Sequence, residues 1–514
     1  MKAIGYDVGT TGFKAAIYEV GDEIRLLASE VEHYPLHILP NGGAEQDAED
    51  WWRAMCSTTR RLLLKTGTPK EEIAGISCCS QCCTLVMVDE RGHPLRMAMS
   101  IMDTRAVPQY RREFQSGLCV AGYNAPKLLK FLQCTSAAPV SAKDTVYRYL
   151  WVKENEPELY GRTYKWLDTK EYLNFRATGR AVASRDDAYM TFLYDVHLKD
   201  WNPELCRMIG IDPKHLPEIC DSTDVVGPLL PEAAEELGLT VDTVVISGGT
   251  DVSLCQVGSG ALLPKDVNIC SGTSGWVCTN TDRPAVDISH GAAAIVGADP
   301  QMYLYTADCE TAGKCMEWCK ERLSHTPLNT FAELIDAVRE VPAGSNGVVF
   351  SPWMHGNRCP FEDANARGMF FNVDVSNRSG DLIKAVIEGV CFHMRWLLEV
   401  SEQKVATNPV IRFSGGSAMA PEICQILADC LGREIETIRN PRQAGTMGAA
   451  AVIAVGLGVT KELKDVKEMV KVGARFEPDV RNHKVYDRIY PVFKELYKNN
   501  KRAYAVLNGQ TKLD

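Results

Sequence analysis

The sequence predicts an α/β protein of two domains, and three observations lead to that prediction. The 514 residues are 45% hydrophobic and 24% charged, as in globular enzymes with large cores, and this length suggests roughly two to four domains. Apolar runs of strand length alternate with amphipathic patterns of helix length. Clusters of Gly, Ser and Thr at 247–250, 271–275 and 414–417 each follow an apolar run, where glycines let the backbone turn sharply.

Charge and hydropathy exclude several classes of protein. The net charge of −10, from 56 Lys and Arg against 66 Asp and Glu, gives no support for binding a polyanion such as nucleic acid. No apolar run approaches the roughly 18 residues of a membrane-spanning helix. Asp7 also interrupts the amino-terminal apolar run where a signal peptide would continue. We therefore expect a cytoplasmic protein that binds neither nucleic acid nor a membrane.

Nineteen cysteines raise the question of metal or redox chemistry. Most of them lie singly in apolar runs, where Cys behaves as a small hydrophobic residue, so we expect reduced core thiols. Residues 78–83, Cys-Cys-Ser-Gln-Cys-Cys, contain the C-x-x-C spacing of zinc sites, but no second pair follows at the spacing of a zinc finger. The apolar neighbours at 73–76 and 85–89 predict a buried strand and its continuation, which favours thiols at a strand end over a metal.

The first element is predicted to be a β-hairpin. Residues 3–8 form an apolar strand, 9–12 a Gly-Thr-Thr-Gly tip, and 15–18 a second strand. The chain has no G-x-x-x-x-G-K-[ST] sequence, which excludes a P-loop. Amides and hydroxyls at this tip can bind a phosphate, and Asp7 can hold a hydrated Mg²⁺ ion.

The next stretch predicts helices and further polar side chains. Residues 47–66 carry Trp, Met and Leu at helical spacing after an acidic start, which predicts an amphipathic helix. Gln81, Asp103 and Arg105 follow apolar segments and are candidates for binding hydroxyl groups. Helices are expected over most of 106–165, with an end before Pro157, and a helix within 166–178 is expected to end at Gly179.

The second half is predicted to repeat this organisation. The strand at 244–246 delivers Asp251 to its carboxyl end, and the strand at 267–270 leads into 271–275, whose amides can form an anion-binding nest. Any one such cluster taken alone is more typical of an ordinary strand-end turn than of a ligand site. Strands are expected near 291–307, helices near 310–323, 328–340 and 381–400, and a strand at 410–413. The turn at 414–417 and the helix at 421–431 suit the adenosine or phosphate end of a nucleotide, so the turns together predict a nucleotide held between two α/β domains.

The motifs around these turns resemble the FGGY carbohydrate kinases along nearly the whole chain. The resemblance rests on Asp7-Val8-Gly9-Thr10-Thr11 with Lys14, Gly248-Gly249-Thr250-Asp251, Gly272-Thr273-Ser274-Gly275, Ser414-Gly415-Gly416-Ser417, Arg358-Cys359-Pro360 and the helix beginning at Asp381. It implies two actin-like (ribonuclease H-like) domains hinged around a central cleft. Residues 1–261 would form the sugar-binding domain and residues 262–514 the ATP-binding domain.

The same resemblance implies an activity and a set of site residues. The enzyme would transfer phosphate from ATP to a terminal hydroxyl of a small sugar, and Asp251 would be the general base. Mg²⁺ would bind at Asp7 and Asp251. The nucleotide would be contacted by Thr10, Thr11, Lys14, Gly272, Thr273, Gly415, Gly416 and Met419. The sugar would be contacted by Gln81, Cys82, Cys83, Asp103 and Asp251.

The sugar itself is left open by the sequence. The layout is most similar to xylulose kinases, but Cys83, Ile101 and Val252 stand where those enzymes have His, Trp and Asn. Another ketose, a polyol or an aldonate is an alternative substrate, and a homodimer is implied by resemblance alone. A sensor of sugars or nucleotides on the same fold is the alternative to an enzyme, but a sensor needs no base at Asp251.

Overall fold

A computed structural model describes residues 1–287, 289–323 and 330–509 of the chain. Packing divides it into two compact units. Unit 1 comprises residues 1–262, 295–303 and 443–470, and unit 2 comprises residues 263–294, 304–442 and 471–514. Within the described ranges no helix is both long enough and apolar enough to cross a bilayer.

The elements are numbered in chain order. The strands are β1 (Lys2–Val8), β2 (Gly12–Val20), β3 (Ile24–His33), β4 (His37–Ile38), β5 (Ala44–Gln46), β6 (Ile73–Ser80), β7 (Val86–Val88), β8 (Ala98–Met99), β9 (Cys119–Val120), β10 (Tyr123–Asn124), β11 (Lys165–Leu167), β12 (Val182–Ser184), β13 (Tyr194–Asp195), β14 (Asp200–Trp201), β15 (Glu218–Cys220), β16 (Val225–Pro228), β17 (Val244–Thr250), β18 (Val267–Ser271), β19 (Gly275–Thr281), β20 (Val286–Asp287), β21 (Ala292–Val296), β22 (Tyr303–Cys309), β23 (Val349–Ser351), β24 (Met369–Phe371), β25 (Ile411–Ser414), β26 (Ile435–Ile438) and β27 (Val472–Phe476). The α-helices are α1 (Ala48–Thr66), α2 (Val107–Phe114), α3 (Ala125–Thr135), α4 (Thr145–Asn155), α5 (Pro157–Arg162), α6 (Thr169–Thr178), α7 (Arg185–Tyr189), α8 (Pro203–Ile209), α9 (Pro231–Leu237), α10 (Asp251–Gly258), α11 (Gly313–Trp318), α12 (Phe331–Asp336), α13 (Ser379–Glu402), α14 (Pro421–Leu431), α15 (Ala444–Gly456) and α16 (Val480–Asn508).

Unit 1 is built on a mixed sheet with the strand order β16-β17-β6-β1-β2-β3. Strands β1 and β2 are antiparallel, which confirms the predicted hairpin, and β6 and β17 run parallel to β1. Helix α1 covers this sheet with Trp51, Trp52 and Met55 in the core. It is capped by the Asp47 side chain and ends at Gly67 in the left-handed conformation, so the predicted helix at 47–66 is confirmed.

A second core in unit 1 accounts for the segment 106–144. Helices α2, α3 and α4 bring Phe114, Phe131 and Tyr147 together as fully buried side chains. Helix α4 ends at Asn155 before Pro157, and α6 ends at Gly179 with φ of 74°, so both predicted helix ends are confirmed. Strand β7 pairs with β11 and not with the main sheet, so the prediction that 85–89 continues the strand at 73–76 is wrong.

Helix α15 joins unit 1 although it lies far along the chain. It packs on β1 so closely that a Cβ at Gly5 would lie 2.2 Å from the Thr446 carbonyl oxygen. It packs equally closely on α10, since a Cβ at Gly448 would lie 1.9 Å from the Leu254 carbonyl oxygen. Glycines at these contacts let backbones approach where any side chain would clash. The predicted domain bounds of 1–261 and 262–514 did not anticipate this return of the chain.

In unit 2, neighbouring strands follow the order β19-β18-β25-β26-β27, with β18, β25 and β26 parallel. Helices α13 and α14 pack together beside them and confirm the predictions at 381–400 and 421–431. The prediction at 310–323 is met by α11 followed by a π-helix at 319–323. The helix predicted at 328–340 is α12, and the part of that prediction at 328–329 lies outside the described residues.

Candidate functional site

Three parallel strands of unit 1 end side by side. Val8 of β1 is in register with Ser80 of β6, which is in register with Thr250 of β17. The residues that follow β6 and β17 are Gln81 and Asp251. The carboxyl ends of neighbouring parallel strands meet at one edge of a sheet, which is the usual ligand-binding edge of α/β proteins. The structure therefore brings the predicted base and the predicted sugar-side glutamine to one edge, and their roles stay predictions.

Two glycines allow β17 to deliver Asp251. Its pairing with β6 shifts register between Ile246 and Gly249. Within that irregularity Gly248 has φ of 80°, and a Cβ there would lie 2.1 Å from the Cys78 carbonyl oxygen. This combination of a left-handed backbone and a close approach requires glycine.

The carboxylate of Asp186 holds the end of β17 by hydrogen bonds to Thr250. Its Oδ2 atom accepts hydrogen bonds from the Thr250 amide at 2.8 Å and the Thr250 hydroxyl at 3.2 Å. A Cβ at Gly249 would lie 2.7 Å from the same oxygen, so only glycine leaves room for this carboxylate. Sequence reasoning missed Asp186. The available signal was the pair of acids at 186–187, one residue after the buried strand β12.

Asp251 is the first residue of α10. Its Oδ1 atom accepts a hydrogen bond of 2.8 Å from the Val252 amide. Burial raises the pKa of the Asp251 carboxyl to about 7, and the negative charge of Asp7 adds to the increase. A carboxyl group with a pKa near neutral pH is suited to accept a proton during a reaction.

Asp7 and Lys14 face each other across the hairpin. They are register partners of β1 and β2, and Lys14 Nζ lies 2.6 Å from Asp7 Oδ2. The charge of Asp7 raises the pKa of the Lys14 ammonium against the opposing effect of burial. At the hairpin tip Thr10 is half-buried and Thr11 is exposed. The tip thus presents a hydroxyl to solvent next to a fixed ion pair.

Gln46, which the sequence analysis missed, connects the hairpin tip to Gln81. Gln46 Nε2 donates to the Thr10 carbonyl oxygen at 2.8 Å, and Gln81 Nε2 donates to Gln46 Oε1 at 2.8 Å. Gln81 Oε1 is buried and has no hydrogen-bond partner. A buried acceptor without a partner is costly, so this atom offers a position for the hydroxyl of a ligand. A single glutamine within the acidic stretch 45–50 gave no signal of this role.

Cys82 and Cys83 form the turn after β6. Cys83 has φ of 60°, and its Sγ atom lies 3.9 Å from that of Cys82. The Cys83 carbonyl oxygen accepts a hydrogen bond of 2.5 Å from Arg148, which is completely buried. The same guanidinium donates to the Met99 carbonyl oxygen at 2.8 Å. Arg148 therefore holds the cysteine turn and the segment before Asp103 together.

Asp103 is completely buried in an ion pair with Arg105, whose Nη2 atom lies 2.5 Å from Asp103 Oδ2. The Asp103 carboxylate also accepts a hydrogen bond of 3.0 Å from the Ala44 amide. These contacts join the segments at 44 and 103. A direct contact of Asp103 with a sugar stays a prediction.

Two glycine turns meet within unit 2. Ser271 and Ser417, at the edges of the two turns, share a hydrogen bond of 2.8 Å between their hydroxyls. Gly415 has φ of 93°, and a Cβ there would lie 2.5 Å from the Ser271 carbonyl oxygen. Gly416 faces open space where its Cβ would be, and Met419 is 57% exposed.

The turn at 272–273 also receives the start of α11. The Thr273 carbonyl oxygen accepts the amides of Ala312 at 3.0 Å and Lys314 at 3.2 Å, and the Gly272 carbonyl oxygen accepts the amide of Gly313 at 2.8 Å. The five residues named for the nucleotide in unit 2, namely Gly272, Thr273, Gly415, Gly416 and Met419, thus lie in two joined turns. Their contact with a nucleotide stays a prediction.

The donor atoms at the strand edge fit a hard cation. Among the residues that the structure describes, no group of three or more His, Cys, Asp or Glu side chains is placed to hold a metal. Mg²⁺ does not need such a group, because it commonly binds one or two carboxylates and keeps several waters. Asp7 and Asp251 supply two carboxyl groups, and the charge of Asp7 acts on Asp251. They fit the binding of a hydrated Mg²⁺ ion.

Family models match most of the chain. The model of the FGGY family of carbohydrate kinases, N-terminal domain, matches residues 2–258, and that of the C-terminal domain matches residues 267–457.

Individual relatives extend over the full length. The chain is 29% identical to the xylulose kinase of Bacillus subtilis over 98% of each chain. It is 24% identical to the gluconokinase of the same organism, over 98% of this chain and 96% of that protein. Among solved structures, it is similar to a xylulose kinase from Lactobacillus acidophilus, with a TM-score of 0.85, 26% identity and coverage of 98% and 99%. A gluconate kinase from that organism matches with the same TM-score, identity and coverage.

Proposed function

The chain belongs to the FGGY family of carbohydrate kinases and is an ATP-dependent sugar kinase. We propose that its sugar is a ketose of the xylulose type and that Asp251 is the general base. The observation that carries the assignment of the base is the in-register end of β1, β6 and β17, which sets Asp251 beside the segment of Gln81. A sensor of sugars would have no need for an acid at this edge with a pKa near neutral pH.

Asp251 would accept the proton of the terminal hydroxyl as the sugar oxygen attacks the γ-phosphorus of ATP. Its pKa of about 7 keeps a useful fraction of the carboxyl ionised at neutral pH. Mg²⁺ held by Asp7 and Asp251 would neutralise charge on the phosphoryl group. Thr10, Thr11 and Lys14 would bind phosphate from the hairpin tip, and Asp7 fixes the Lys14 ammonium for that role.

The charges at the strand edge favour a neutral sugar over an aldonate. Asp7 and Asp251 are acidic, and the ammonium of Lys14 already pairs with Asp7. Gln81, Cys82 and Cys83 add no positive charge. The protein side chains named here therefore offer no unpaired cation to the carboxylate of an aldonate, which disfavours its binding. The unpartnered Oε1 atom of Gln81 suits a sugar hydroxyl, which donates a hydrogen bond.

We extend the proposal to the nucleotide, the location and the assembly. The joined turns of unit 2 support binding of the nucleotide by Gly272, Thr273, Gly415, Gly416 and Met419. All nineteen cysteines lie within the described residues, and none of them forms a disulfide there, which supports a reducing compartment such as the cytoplasm. A homodimer rests on resemblance alone, and light scattering on the purified protein tests it.

The test is sugar-dependent release of ADP across ketopentoses, ketohexoses, aldonates and polyols, with a control lacking sugar. Wild-type protein is expected to phosphorylate one ketopentose selectively. In Asp251→Asn, kcat/KM is expected to fall by a factor of at least about 10². Asp221→Asn is the matched control, because burial also raises the pKa of Asp221, which pairs with Arg185. It is expected to keep its activity.

Three results would change the proposal. Selective turnover of an aldonate or a polyol would overturn the ketose assignment. Full activity of Asp251→Asn would overturn the assignment of the base. Absence of sugar-stimulated turnover with every compound would favour the sensor.

A further inference from the structure

Cys82 and Cys83 present their thiols to each other, although adjacent residues in extended chain point to opposite sides. The left-handed φ of 60° at Cys83 interrupts that alternation and leaves the two Sγ atoms 3.9 Å apart. Cys78 and Cys79 are also adjacent, but both lie within β6, where alternation holds. The two pairs thus have the same sequence and different geometry.

The separation of the two sulfurs suits a bridging atom. A single atom that binds both thiolates holds the two sulfurs well beyond the length of an S–S bond, and the Sγ atoms of Cys82 and Cys83 already lie 3.9 Å apart. A direct disulfide requires an S–S distance of about 2.0 Å and deviates from ordinary disulfide geometry when the cysteines are adjacent. A single thiophilic atom between Cys82 and Cys83 therefore needs less rearrangement than a disulfide.

We propose that Cys82 and Cys83 form a vicinal dithiol site that chelates trivalent arsenic compounds. Arsenic(III) brings its own third ligand, so two protein sulfurs complete its shell. In the reaction with an aryl arsenoxide, two As–S bonds form, the As–O bond is lost, and the two thiol protons leave with that oxygen as water. Arsenic stays trivalent and no electrons are transferred, so the step needs no further reactant.

Access distinguishes this pair from other neighbouring thiols. Cys82 is partly exposed, whereas Cys79, Cys391 and Cys430 are at most 3% exposed. The turn also follows the ligand-binding edge of the sheet directly. A small arsenical can therefore reach Cys82 first and close the chelate on Cys83.

Chelation would also affect the kinase. An arsenical on Cys82 and Cys83 would fill space next to Gln81 and exclude the sugar. This consequence rests on the proposed function, whereas chelation itself does not. The two are separated by measuring the mass of the adduct and the turnover on the same sample.

The experiment treats the full chain with phenylarsine oxide, removes weakly bound reagent with an excess of a monothiol, and measures intact mass and peptide masses. Wild-type protein is expected to retain one phenylarsenic group, which a dithiol removes. Cys82→Ser and Cys83→Ser are each expected to retain none, because one thiolate cannot chelate. Cys78→Ala is the matched control from the adjacent pair in β6 and is expected to retain the group.

Retention of no group by the wild type, or unchanged retention by both serine variants, would overturn the proposal. So would a retained group whose peptide lies elsewhere, for instance at Cys391 or Cys430. If the adduct forms on Cys82 and Cys83 while turnover persists, the arsenical site is confirmed and the prediction that these two cysteines contact the sugar is wrong. Circular dichroism of each variant identifies a loss of fold, and Cys82→Ala and Cys83→Ala then replace the serine variants.

Discussion

Lys14 Nζ lies 2.6 Å from Asp7 Oδ2, across the antiparallel pair that β1 and β2 form. The ion pair does more than hold the hairpin together, because both groups act on Asp251. Asp7 raises the pKa of the Asp251 carboxyl and Lys14 lowers it. The charge of the proposed base is therefore tied to a pair of residues more than two hundred positions earlier in the chain.

The first prediction concerns the loss of the ammonium. In Lys14→Met, the charge of Asp7 acts on Asp251 without opposition, so the pKa of Asp251 should rise by about one unit. Such a rise lowers the ionised fraction of Asp251 at pH 7 by about fivefold, so kcat/KM at pH 7 should fall by about fivefold or more and recover in part at pH 9, as measured in a pH–rate profile. Lys2→Met is the control, since Lys2 pairs with Glu72 at the other end of β1. If kcat/KM begins to fall at the same pH in both variants, Lys14 does not lower the pKa of Asp251.

The second prediction is the pH dependence of the wild type. With a pKa of about 7 in the protein free of Mg²⁺, Asp251 is protonated below neutral pH and can neither bind Mg²⁺ nor accept a proton from the sugar. The logarithm of kcat/KM should therefore fall by about one for each pH unit below about 7 and level off above it. Activity that stays constant from pH 5 to 8 would exclude Asp251 as the base with this pKa.

Local patterns in the sequence predicted the parts of the site that lie on single elements. An apolar run followed by glycines located the end of β17 and hence Asp251, and two short apolar runs around Gly-Thr-Thr-Gly located the hairpin with Asp7 and Lys14. Such features depend on backbone propensity within about ten residues. They are visible without knowledge of tertiary contacts.

Long-range packing determined the rest. Gln46 and Asp186 act through contacts with residues 36 and 64 positions away, at Thr10 and Thr250. Helix α15 is rich in Gly and Ala and almost entirely buried, so its sequence has no polar face that indicates a partner. Its return to unit 1 could be found only from the backbone contacts that its glycines permit.

The third prediction tests one of those glycines. Alanine ordinarily stabilises a helix by up to about 1 kcal/mol relative to glycine, and Gly445 lies in the first turn of α15. At Gly445, however, a Cβ would lie 2.9 Å from Asp7 Cγ and 3.0 Å from Cys79 Sγ. Gly445→Ala should therefore destabilise the protein by about 1–3 kcal/mol and displace the Asp7 carboxylate.

The measurement is urea unfolding together with kcat/KM. Gly21→Ala is the control, because nothing lies within 4 Å of the position of its Cβ. A Gly445→Ala protein with unchanged stability and activity would show that α15 can shift without affecting Asp7.

The fourth prediction concerns the stability of unit 2. Glu388 is 1% exposed, and its carboxyl group accepts hydrogen bonds from the Gly344 amide at 2.9 Å, the Ser345 hydroxyl at 2.7 Å and the Tyr486 hydroxyl at 2.9 Å. Burial raises its pKa to about 7, against the lowering effect of these donors. Between its unfolded pKa and about 7, the folded state therefore binds a proton that the unfolded state has released.

Stability from this group is consequently full at low pH and is lost as the pH rises through about 7. The loss in the free energy of unfolding should be about 3 kcal/mol between pH 4.5 and 8. Glu388→Gln keeps a hydrogen-bond acceptor but cannot ionise. Its free energy of unfolding in urea should therefore lack this loss between pH 4.5 and pH 8. Glu399→Gln, at a partly exposed position of the same helix, should retain the wild-type difference. An identical pH dependence in wild type and Glu388→Gln would mean that Glu388 is already ionised in the folded protein at low pH, with its charge balanced by the three donors that surround it.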